Sequence, residues 1–164
     1  MVSVKFARAA CAALILAAAG ACASSSGAGV VRSSDGTVDA GVVRFQPLEP
    51  QPMTPGACGL FLWAQTAQQP ILVLAAFAAP AEARVKLRDR EMILRRTTAE
   101  GEARHGHYET QTFSDGRLTL VVDVEFGAAP MQGGARIDRG VIRVTDREGW
   151  QAIVPVGGLV GCEA

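Results

Sequence analysis

From Cys58 onward, apolar residues arrive in short runs separated by turn-forming residues, and no stretch keeps a helical period. The runs are CGLFLWAQ (58–65), ILVLAAF (71–77), ARVKL (83–87), EMILRRT (91–97), YETQTF (108–113), RLTLVVDVEF (117–126), GVIRVTD (140–146) and WQAIVPV (150–156). Alternation marks several as half-buried strands, because successive side chains of a strand point to opposite faces. Val85 and Leu87 sit between Arg84, Lys86 and Arg88. Leu118, Leu120, Val122, Val124 and Phe126 share one face, with Arg117, Thr119, Asp123 and Glu125 on the other. Short strands at close spacing predict an all-β domain, a small antiparallel β-sandwich or barrel of about seven or eight strands. Ser114-Asp115-Gly116 predicts a hairpin, since glycine accepts the positive φ of a tight turn. Asp89-Arg90 is a second candidate turn. Residues 98–107 contain Gly101 and Gly106 and read as a loop. Trp63 and Trp150 are expected as core anchors near a disulfide between Cys58 and Cys162.

The chain before Cys58 follows another pattern. Lys5 and Arg8 precede an uncharged apolar stretch, Ala9 to Ala21, too short to span a bilayer and suited to a cleaved export signal. It ends in Ala19-Gly20-Ala21-Cys22. Small residues before a cysteine resemble the lipobox of bacterial lipoproteins, with Ala19 where that family usually has leucine. The resemblance implies a diacylglycerol thioether on Cys22 and cleavage before it. Ala23 follows in place of the aspartate that marks inner-membrane retention, which implies an outer-membrane anchor facing the periplasm. Residues 23–36 are Ser/Gly-rich and read as a disordered tether, able to span roughly 50 Å when extended. Pro47, Pro50, Pro52 and Pro55 make the next segment an extended connector. The expected organisation is a signal peptide over 1–21, a lipidated tether over 22–57 and a β-domain over 58–164.

Export changes how the four cysteines are read. Cys11 leaves with the leader and Cys22 carries lipid. Cys58 and Cys162 remain, and an oxidising compartment favours a disulfide between them. It would close a loop of about 105 residues, with a chain-entropy contribution of about 4.7 kcal/mol. Two free thiols or a metal pair are the alternatives. Two cysteines alone make a poor metal site, and no CxxC spacing suggests redox chemistry.

Charge excludes one class of partner. The chain has 16 basic and 16 acidic residues, and loss of Lys5 and Arg8 leaves the mature part slightly acidic. No nucleic-acid partner is expected without a basic face. Arg84, Lys86, Arg88, Arg90, Arg95 and Arg96 cluster on two adjacent runs. They would form a basic patch, or a solvated face balanced by Asp123 and Glu125.

Catalytic material is sparse, and no cofactor is expected. His105, His107 and Glu109 have the i, i+2, i+4 spacing that puts three ligands on one strand face. Zinc or copper would suit them in a metal-dependent hydrolase. The competing reading is an exposed loop whose histidines bind nothing. Ser114 is the only serine beyond the tether, and no GxSxG motif surrounds it. Asp123 and Glu125 alternate on a polar strand face rather than forming a catalytic pair. Gly133-Gly134 and Gly157-Gly158 lack a following helix and read as loop and turn glycines. The segment RVKLRDREMILRRTTAEGEARHGHY loosely resembles membrane-anchored inhibitors of c-type lysozyme, with Ala99-Glu100-Gly101 and Tyr108 near that family's inhibitory loop. Glu100 replaces its serine, and the second, lysine-bearing motif is absent. The expectation is a non-enzymatic envelope lipoprotein, a module that binds a protein or cell-wall partner or a structural one, with the lysozyme-inhibitor-like protein and the metal-dependent hydrolase as alternatives.

Overall fold

Alternation along the eight runs becomes the inner and outer faces of a closed barrel. The computed structural model describes residues 30–32, 38–40, 43–65, 69–128 and 131–164. The leader, Cys22 and the tether through residue 29 lie outside the described residues. The strands are β1 (Val30–Arg32), β2 (Val38–Ala40), β3 (Val43–Gln46), β4 (Cys58–Ala64), β5 (Ile71–Phe77), β6 (Glu82–Leu87), β7 (Arg90–Arg104), β8 (His107–Ser114), β9 (Leu118–Phe126), β10 (Gly134–Asp146) and β11 (Gln151–Cys162). Each strand from β4 to β11 pairs antiparallel with the next, and β11 pairs back onto β4. The domain is therefore an eight-stranded, up-and-down antiparallel barrel with an extra strand, β3, on its wall. Between the two architectures allowed by the sequence, closure through the β4–β11 pairing decides for the barrel.

Eight strands enclose a space that side chains can fill. Leu60, Leu62, Leu94, Phe113, Leu120, Val122, Ile142, Val144, Val154 and Val156 fill it and are fully buried. The face predicted for Leu118 to Phe126 is the inner face of β9. Gly158 lies within β11, not in a turn, and a Cβ there would meet the Phe61 carbonyl at 2.0 Å. Its role is close approach between β11 and β4, which only glycine permits.

The folded body begins before Cys58. Phe45 and Gln46 of β3 pair with Leu87 and Lys86, while β5 occupies the same edge of β6 lower down, at Glu82 to Arg84. The prolines that follow carry no N–H for a ladder, yet their segment is packed. Leu48 is buried with Ala75 and Phe77, and Met53, Phe61 and Leu72 join them on the outside of the wall. Leu48 N donates to Leu72 O at 2.9 Å, and Arg84 reaches Gln51 Oε1 at 3.0 Å. The connector is thus a strap over the outer face of β4 and β5, because that face is apolar and needs a cover.

Residues 98–104 also differ from expectation. They continue β7 as half of a long hairpin with β8, bulged between Glu100 and Ala103, and the turn is only His105-Gly106. The β6–β7 turn is Arg88-Asp89, both at positive φ, one residue earlier than expected. Asp89 tolerates it because its carboxylate and N–H both bond to the Gln46 amide.

Candidate functional site

The meander puts its turns at two ends. One end carries the turns after β5, β7 and β9 together with Cys58 and Cys162. The other carries the turns after β6, β8 and β10 and the start of β3.

At the first end, Cys58 and Cys162 face each other directly across the β4–β11 ladder. Their sulfurs are 2.00 Å apart, a disulfide distance. The chain around them is tied on both sides: Gly56 N donates to Glu163 O at 3.0 Å and Glu163 N to Ala57 O at 2.9 Å. The β7–β8 turn folds over this pair. His105 has φ 51° and Gly106 φ 77°, and a Cβ on Gly106 would lie 2.7 Å from that of Ala78. Arg96 donates to the Gly106 carbonyl at 2.8 Å and fixes the turn. His105 Nδ1 consequently stands 3.3 Å from Cys162 Sγ.

The trio His105, His107 and Glu109 is not brought together. His105 sits in the turn, His107 points into the barrel, and Glu109 accepts a hydrogen bond from Glu102 N at 3.0 Å across its own hairpin. The i, i+2, i+4 rule fails because the turn, with its left-handed backbone, takes His105 out of the strand. Among the described residues, the one group of ligand-type side chains close enough to share an ion is Cys58, His105 and Cys162. The cysteines were visible in the sequence; the histidine that joins them was not, because only barrel closure brings residue 105 to residue 162.

His107 is fully buried beside Gln111. Burial pulls its pKa down to about 4, and the Arg96 and His105 charges act the same way. The Cys58 carbonyl, 3.5 Å from Nε2, and the Gln111 side chain oppose the shift without cancelling it. Neither His107 Nδ1 nor Gln111 Nε2 completes a hydrogen bond of good geometry. The ring is therefore neutral at pH 7.

The second end holds a cavity of about 500 Å³. Val43, Leu87, Met92 and Leu118 form an apolar floor. Five arginines rim it, Arg44, Arg88, Arg90, Arg117 and Arg147, against two carboxylates, Asp146 and Glu148. Asp146 is partly committed to its turn, where Oδ1 accepts from Trp150 N at 2.8 Å. Of the basic cluster noted in the sequence, only Arg88 and Arg90 line this cavity. The others are dispersed: Arg84 bonds Glu82 and stacks on Phe77, Lys86 lies opposite Glu91, Arg95 opposite Glu82, and Arg96 holds Gly106 and Gln111. Asp123 and Glu125 do not balance that cluster. They pair with Arg143 and Arg139 on β10. Arg44, Arg117 and Arg147 were missed because they come from three separate turns or strand ends.

Trp150 is a further correction. It is 58% exposed at the arginine-rimmed end and anchors no core; Trp63 is half-buried on the outer wall, 6.5 Å from Phe61. Ala99, Glu100 and Gly101 lie on β7 and Tyr108 on β8, within the long hairpin. No protein-family model matches the chain, and no curated protein or solved structure matches it at a significant level.

Proposed function

We propose that this chain is a non-enzymatic binding module of the cell envelope, tethered through a lipid on Cys22, whose arginine-rimmed cavity takes an anionic amphiphile. The observation that carries this reading is the cavity itself: five guanidinium groups around an apolar floor. Guanidinium groups bind phosphate and carboxylate through planar, charge-assisted forks. Val43, Leu87, Met92 and Leu118 would receive the apolar part of the ligand, while the barrel interior is occupied by its own side chains. The tether and anchor rest on residues 1–36 of the sequence, and a covalent Cys58–Cys162 bridge fits an oxidising compartment.

Trp150 stands at the end of the β10–β11 turn and supplies a fluorescence reporter for this end. Monomeric dihexanoylphosphatidylglycerol is expected to shift its emission saturably, and dihexanoylphosphatidylcholine to leave it unchanged. The Arg117→Gln/Arg147→Gln double variant should weaken the response at least about tenfold, the worth of one charged hydrogen bond. Equal responses to both lipids, or indifference to the double variant, would sink the proposal.

A further inference from the structure

We infer that Cys58, Cys162 and His105 form a redox-gated copper(I) site, closed while the two cysteines are bridged and open once they are reduced. The inference is independent of the arginine-rimmed cavity, which lies at the other end of the barrel.

The geometry is set by the fold rather than by the sulfur–sulfur bond. The β4–β11 ladder runs from Val156↔Ala64 to Cys162↔Cys58, and the backbone bonds at Gly56, Ala57 and Glu163 continue it past the cysteines. Breaking the bridge leaves both cysteines opposite each other. Non-bonded repulsion then moves the sulfurs apart, toward the spacing a shared ion requires. The three donor atoms already lie within 4.8 Å of one another. Two sulfurs bound to one ion at about 2.3 Å are at most about 4.6 Å apart, a separation reached by rotation about the two Cα–Cβ bonds once the bridge is broken. His105 is presented by a turn fixed through Gly106, Ala78 and Arg96 and adds a third donor, Nδ1. Two thiolates and one imidazole are a soft, three-donor set. That set favours copper(I), whereas zinc prefers four ligands. Both cysteines are half-buried and His105 is exposed, so an ion or a thiol reaches the site from solvent.

The chemistry balances in two steps. A dithiol donor gives two electrons and two protons to the bridge, yielding the Cys58 and Cys162 thiols and the donor's own disulfide. One copper(I) ion then replaces the two thiol protons, which pass to solvent, while neutral His105 donates its Nδ1 lone pair.

The test uses the full chain carrying Cys11→Ser and Cys22→Ser, so that only this pair of cysteines remains. It is reduced with a phosphine and titrated anaerobically with copper(I) against a chromophoric copper(I) chelator. One equivalent is expected to bind, with a near-ultraviolet thiolate-to-copper charge-transfer band, and the bridged protein should bind none. His105→Asn keeps a residue that tolerates the left-handed turn but removes the ligand; affinity should fall at least about tenfold. Circular dichroism and melting of the bridged His105→Asn protein should match the parent. Binding by the bridged form, no binding by the reduced form, or zinc binding tighter than copper(I) would overturn the site. So would copper binding that His105→Asn leaves unchanged, which is also what two cysteines on a reduction-unfolded chain would give.

Discussion

The two ends of the barrel are built from the same hairpin turns and differ in what those turns carry. At one, Cys58, Cys162, His105 and His107 converge, and backbone hydrogen bonds tie the chain on both sides of the cysteine pair. At the other, five arginines surround an apolar floor with two carboxylates among them. The first joins the first and last barrel strands through a disulfide and backbone hydrogen bonds, and the second gathers guanidinium groups from separate turns and strand ends around one cavity. Closure is an energetic problem solved where the first and last strands meet.

This contrast predicts a graded set of stability effects. The largest belongs to the bridge. Replacing both cysteines by serine in Cys58→Ser/Cys162→Ser frees a 104-residue separation in the unfolded chain and should cost about 4–5 kcal/mol, read from urea unfolding. Next comes His107. Its native pKa of about 4 lies below the ordinary 6.5. The unfolded chain therefore takes up a proton that the native state refuses. Stability falls as pH drops from 6.5 to 4, by about 3 kcal/mol in all. His107→Leu should flatten the unfolding free energy across that window; an unchanged slope would remove the histidine from the account.

Asp115 contributes less, and through a turn at the arginine end. Its carboxylate accepts from Arg117 N and Leu118 N, both at 2.8 Å. Slight burial pushes its pKa up, but those hydrogen bonds outweigh it and hold the carboxyl below 3.8. The stability it supplies is present above its unfolded pKa and is lost below, outside the His107 window. Asp115→Ala should cost about 1 kcal/mol at pH 7, and Asp115→Asn, which keeps an acceptor, less.

Legibility in the sequence divides along the same line. The strands could be read because inner positions alternate with outer ones, and Leu118 to Phe126 show this cleanly. A hairpin turn could be read where its chemistry is local, as at Asp115-Gly116. Closure could not, since antiparallel strands of this length serve a sandwich equally well. The strap was misread because proline argues against a ladder and says nothing of burial; Leu48 is buried and Met53 partly buried against the apolar outer face of β4 and β5. Both candidate sites depend on residues distant in sequence. His105 reaches Cys162 across 57 positions, and Arg44 joins Arg117 and Arg147 only when the turns gather. Periodicity reports which face a residue occupies, and it is silent on which strands become neighbours.

The smallest expected effect is the sharpest test of the two-ended description. Arg117→Gln/Arg147→Gln should change unfolding free energy by less than about 0.5 kcal/mol, since exposed charges rarely contribute more. Its value lies in combination. β11 runs 12 residues from the arginine end to Cys162, roughly 40 Å of strand. Substitutions that far apart with no shared partner add within about 0.5 kcal/mol. The arginine pair combined with Cys58→Ser/Cys162→Ser should therefore be additive. His107→Leu combined with the same cysteine pair should not, because the His107 ring faces the Cys58 carbonyl and the two share one packed corner. Coupling across the barrel, or its absence within the disulfide end, would show that the ends are not separate units. Stability and binding would then have to be argued for the barrel as a whole.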